Sequence, residues 1–83
     1  MRVEFAAQGA LNVTPSDTDN LAFPSGTHRT RGLYVAVTGD ISVEMADGST
    51  VTFTDIAAGV IHNLAVTKVL STGTTATGIV ALY

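Results

Sequence analysis

The segment Ile41–Thr54, ISVEMADGSTVTFT, constrains the fold more than any other stretch of the chain. Ile41, Val43 and Met45 alternate with Ser42 and Glu44, the two-residue period of a strand with one apolar and one wet face. Past the turn, Val51 and Phe53 alternate in the same way with Thr50, Thr52 and Thr54. Between the two runs stands Ala46-Asp47-Gly48-Ser49, in which Asp-Gly supplies the positive φ that a tight hairpin needs. An antiparallel hairpin is therefore predicted here.

The remaining apolar runs read as further strands. Leu33–Thr38 places Leu33, Val35 and Val37 on one side and Tyr34, Ala36 and Thr38 on the other, a pattern expected to be covered on both faces. Val60–Leu70 is read as one long run whose phases are reconciled by a bulge near Thr67-Lys68, with His62 sharing the parity of Val60 and Leu64. Ser71-Thr72-Gly73-Thr74-Thr75 supplies a turn, and Ile79-Val80-Ala81-Leu82 begins a strand apolar on both faces, expected to lie centrally and to be covered on two sides. Arg2–Ala7 and Ala10–Thr14 are short strand-like pieces flanking Gly9. No segment keeps a helical period, and the 13 threonines suit pleated sheet. The predicted fold is all-β: one domain over residues 1–83, a compact antiparallel β-sandwich or small barrel of about six to eight short strands.

Composition bears on how such a fold survives alone. A chain of 83 residues buries only roughly 60–65% of its unfolded surface, and with no cysteine it has no disulfide to brace it. Charged residues make up 13% of the chain against a typical value of about 25%, while hydrophobic residues reach 46%. Those proportions favour a homo-oligomer or a subunit of a larger assembly. A net charge of −3 with only four Lys and Arg residues argues against nucleic acid. No apolar run approaches the roughly 18 residues of a membrane-spanning helix, and the first residues lack the apolar core of a secretion signal.

Candidate sites are few. Asp17-Thr18-Asp19-Asn20 starts like a calcium loop but lacks the later glycine and closing glutamate, so it reads as turn chemistry. His28 and His62 do not make a zinc site without a third ligand; they read as a surface and a sheet-packed histidine. No nucleophile–base arrangement and no phosphate-binding glycine loop is discernible, so no catalytic residue, metal or cofactor is expected and the chain is read as a non-enzyme. The long loop at about 14–32 is the expected contact surface: Arg29 and Arg31 as polar anchors, Phe23 as the apolar one, and His28 within the same basic cluster. Asp17, Asp19 or acidic groups of a neighbouring subunit are the candidate ion-pair partners of that cluster, and an ordinary solvated loop is the alternative.

Thr14-Pro15-Ser16-Asp17, Thr30-Arg31-Gly32-Leu33-Tyr34-Val35, Gly39-Asp40-Ile41-Ser42-Val43 and the whole run Lys68–Tyr83 resemble a family of small head proteins of tailed phages and gene transfer agents. The resemblance covers about Thr14–Tyr83, its terminal segment is the most specific part, and it has lysine at Lys68 where arginine is expected. It implies a structural virion protein, the base of a head spike seated on the capsid exterior and carrying a fibre, made in the bacterial cytoplasm. The implied partners are the major capsid protein, the spike fibre protein and further copies of the chain, in a ring at the fivefold vertex. A general capsid decoration or cement protein and a carbohydrate- or receptor-binding β module are the competing readings.

Overall fold

A computed structural model describes residues 7–23 and 28–83. The strand-like piece expected over Arg2–Ala7 lies outside them, Ala7 apart. Seven strands follow in order: β1 (Ala10–Asn12), β2 (Gly32–Tyr34), β3 (Gly39–Met45), β4 (Thr50–Ile56), β5 (Ile61–His62), β6 (Val66–Val69) and β7 (Val80–Leu82). They form two sheets, ordered β1-β7-β2-β5 and β4-β3-β6, with every pairing antiparallel. The all-β expectation holds. Between the sheets lies a core built from Leu33, Val35, Ile41, Val43, Val66 and Val69, with Ile79 and Ala81 from the C-terminal run.

The predicted hairpin is β3–β4. Gly48 N–H donates to the Met45 carbonyl at 2.9 Å and Met45 N–H to the Ser49 carbonyl at 2.7 Å, while Gly48 takes a φ of 92°. Only the glycine is left-handed, so the connection is a type I turn closed by a glycine rather than a two-residue turn. Val43 faces Val51 and Ile41 faces Phe53 across the ladder, on the core side.

The C-terminal strand lies centrally, as expected, between β1 and β2. Ala81 is fully buried, but Val80 and Leu82 are only half-buried on the outer face, so the chain itself covers β7 on one side. Gly73 takes the positive φ anticipated in the turn before it.

Two expected strands are cut short for one reason: each has to pass from one sheet to the other. β2 ends at Tyr34, and beyond it only Val37 makes an isolated bridge, to Thr77, while remaining 56% exposed. Likewise Val60–Leu70 divides into β5, which pairs with β2, and β6, which pairs with β3. The anticipated bulge is present inside β6. Glu44 pairs with Lys68 and Met45 with Val66, which leaves Thr67 as the extra residue.

Ser42 departs from the wet face assigned to it and is buried. The 73–75 turn folds back over β3: Ser42 N–H donates to Thr74 Oγ1 at 2.9 Å, and its hydroxyl lies 2.7 Å from Thr52 Oγ1. Gly73 permits this approach, since a Cβ there would stand 3.2 Å from Ser42 Oγ and its φ is 88°.

The outer edges of the three-stranded sheet end differently. Along β6, Ser16 N–H donates to the Val69 carbonyl at 2.8 Å, Leu21 N–H to Thr67 at 2.9 Å and Thr30 N–H to Val66 at 3.0 Å. The long loop seals that edge. β4 pairs only with β3, and among the described residues nothing bonds to its other side.

Candidate functional site

Thr30 organises the basic cluster. Its side chain is buried, donates to the Leu64 carbonyl at 2.6 Å and accepts the Val66 N–H at 3.0 Å, answering two backbone groups that would otherwise be stranded. The flanking Arg29 and Arg31 each lie at a bend just before β2, and both side chains are exposed. Arg31 N–H also donates to the Leu82 carbonyl at 2.7 Å, which fixes the cluster to the end of the β7 ladder.

At that end Arg29 and Arg31 line a concavity of about 300 Å³ together with Gln8, Gly9 and Tyr83. Tyr83 is held by its backbone: its carbonyl accepts from Gln8 at 2.6 Å and Gly9 at 3.0 Å, and its N–H donates to Gly9 at 2.9 Å. Its ring packs edge-on to Phe23, with centroids 5.8 Å apart at 70°. A Cβ on Gly9 would fall 2.6 Å from the Tyr83 ring, so a glycine is required for the ring to lie there. The structure thus joins Arg29, Arg31 and Phe23 of the predicted set through Tyr83. His28 is exposed.

The acidic residues of the loop lie elsewhere. Asp17 grips the C-terminal turn, accepting the Thr72 N–H at 2.9 Å and the Thr72 hydroxyl at 2.6 Å. Those bonds, the hydroxyl foremost, hold its carboxyl below the usual carboxylate range. Asp19 closes a local turn, its N–H donating to Ser16 Oγ at 3.1 Å. This is the turn chemistry expected of the segment, and it ties the loop across 55 residues to the turn before β7. His62 is half-buried, with Nε2 2.8 Å from the Ala57 carbonyl.

Sequence reasoning missed Gln8, Gly9, Tyr83 and the buried role of Thr30. The Arg-Thr-Arg alternation was a local signal for Thr30. Nothing local could pair Gly9 with Tyr83. Chemically, two guanidiniums beside an aromatic ring suit carboxylate groups of a protein surface, because the guanidinium fork matches a carboxylate edge to edge. Among the described residues no three His, Asp or Glu side chains converge as metal ligands. A second concavity, of about 400 Å³, is lined by Val13, Pro15 and the hydroxyl-rich stretch around Thr74–Ile79 and contains no ionisable side chain.

No family model and no curated protein matches the chain. Among solved structures it is similar to a chain of a structure described as the capsid of a native GTA (gene transfer agent) particle computed with C5 symmetry. The TM-score is 0.80 and the identity 36%, over 99% of this chain and 92% of the other. The protein therefore belongs to the same family as that component of a gene transfer agent capsid. The similarity also spans the N-terminal region, beyond the Thr14–Tyr83 stretch that carried the sequence resemblance.

Proposed function

We propose that the protein is a structural subunit of a phage-like or gene transfer agent particle, the base of a head spike seated on the capsid exterior at its fivefold vertices. The observation that carries this reading is the 36% identity over nearly the whole chain to a component of a gene transfer agent capsid, which supports a structural place in such a particle. The low charge of the chain and the Arg29–Arg31–Tyr83 concavity support a protein whose work is contact with other proteins. In this reading the concavity receives carboxylates of a capsid or neighbouring subunit, Phe23 and Tyr83 supply the apolar part of the contact, and the opposite side presents a platform for the fibre.

The test is the copy number of the chain in purified particles. A few tens of copies fit a ring at each vertex. Hundreds would instead mean general decoration of the capsid, and absence from particles would return the protein to the class of free ligand-binding β modules.

A further inference from the structure

The open edge of β4 and the basic concavity are complementary in both backbone and charge. β4 is the joint-longest strand of the chain and is bonded on one side only. Its middle is also poorly covered on the core side: Val51 is 37% exposed and Phe53 is half-buried, although their partners Val43 and Ile41 are fully buried, and only Ile56 at its end is buried. Edges of this kind are ordinarily blunted with lysine, proline, a β-bulge or a covering loop. Thr50–Ile56 contains neither residue and the described loops do not cover it; the register shift opposite Asp40, where Asp55 takes a φ of 54°, is confined to its end and leaves Thr50–Phe53 as a regular open ladder. The charge nearby is one-sided, since Asp40, Glu44, Asp47 and Asp55 all stand on β3, β4 and their turn, with Lys68 across from Glu44.

The other sheet has the counterpart. β1 pairs only with β7, so its outer side is also open among the described residues, and Gln8-Gly9 just before it leads into the concavity of Arg29 and Arg31. An antiparallel approach of a β4 edge to a β1 edge lays the Asp55 end of one beside the Gln8 end of the other. Asp55 is exposed there, and no group among the described residues bonds its carboxylate. Asp40 is adjacent, its Oδ1 accepting the Asp55 N–H at 3.1 Å. A parallel approach would offer Asp47, whose Oδ1 is already engaged by the Ser49 N–H at 2.9 Å and the Ser49 hydroxyl at 2.7 Å, and Glu44, whose Oε1 accepts from the Thr67 hydroxyl at 3.1 Å and which pairs with Lys68.

We infer that the occupant of the β4 edge is a second copy of this chain, added antiparallel through its β1 edge, with Asp55 and Asp40 of one copy facing Arg29 and Arg31 of the next. The interface is heterologous, one surface against a different one, and so repeats around a ring rather than closing as a twofold dimer. This inference rests on the reading of the chain as a repeated vertex subunit.

The experiment is sedimentation of the full chain, alone and as variants, with circular dichroism to confirm the fold of each. The wild-type chain is expected to associate beyond a dimer. Arg29→Glu and Asp55→Lys are each expected to weaken association about tenfold or more, and the double variant to recover it, because like charges then become opposite again. Val51→Lys, which puts a charge on the core side of the open edge, is expected to leave a folded monomer. A wild-type chain that stays monomeric, single reversals without effect, or a double variant no better than its parents would overturn the interface. Finding the chain in particles at vertex copy number alongside any of those results would leave the vertex reading standing and remove only this contact.

Discussion

β6 and β4 border the same three-stranded sheet, and the chain treats them in opposite ways. On the β6 side the 14–31 loop supplies Ser16, Leu21 and Thr30 as backbone donors and brings the Thr30 hydroxyl under the sheet, leaving Val66 and Val69 almost wholly buried. On the β4 side the ladder stops, and Val51, facing the core, keeps 37% of its surface exposed. An 83-residue chain can cover only so much of its own sheet. The loop that looked like a contact surface in the sequence is largely engaged in finishing one edge, and the unfinished edge is the hairpin that the sequence made most plain.

The contrast can be broken by substitution. Ile41→Ala should destabilise the chain by about 3 kcal/mol, since its methylenes leave a filled core, whereas Val51→Ala should cost below about 1 kcal/mol; denaturant unfolding of the two separates a covered inner face from an open one. Thr30→Val keeps the shape but strands the Leu64 carbonyl and the Val66 N–H, and should cost about 2 kcal/mol, with amide exchange at Val66 and its neighbours accelerating before the rest of the sheet. Val51→Lys should shift the stability of the isolated chain by no more than about 0.5 kcal/mol, because its side chain reaches water at the edge. The smallest effect concerns the loop's attachment at Asp17. Its folded carboxyl is held below its ordinary value near 3.8, so the Thr72 bonds contribute stability above that value and lose it as pH falls through the folded pKa. Asp17→Asn should therefore flatten the acid limb of a thermal-midpoint profile and leave neutral pH least altered.

Much of this fold can be read from residue patterns, and the failures share a cause. The β3–β4 hairpin, the central β7, the glycine turn before it and the bulge at Thr67 all follow from local period and turn chemistry. Period reports which face a residue occupies but not which sheet its strand joins, so the crossings at 35–38 and 63–65 were invisible and Leu33–Thr38 and Val60–Leu70 read too long. Ser42 was misplaced because its cover comes from Thr74, 32 residues away. Of the candidate site, Arg29, Arg31 and Phe23 were legible as types suited to contact. The concavity that unites them depends on the Gly9–Tyr83 pairing, which no local window contains.

The most direct measurement is amide hydrogen exchange along β4 and β6, made on the free chain diluted until it is a monomer and on the chain within assembled particles. The account predicts that β6 amides are protected in both, and that the β4 amides pointing away from β3 exchange quickly in the free chain and slow sharply in particles. Outward β4 amides that are already slow in the free chain, or that remain fast in particles, would contradict it.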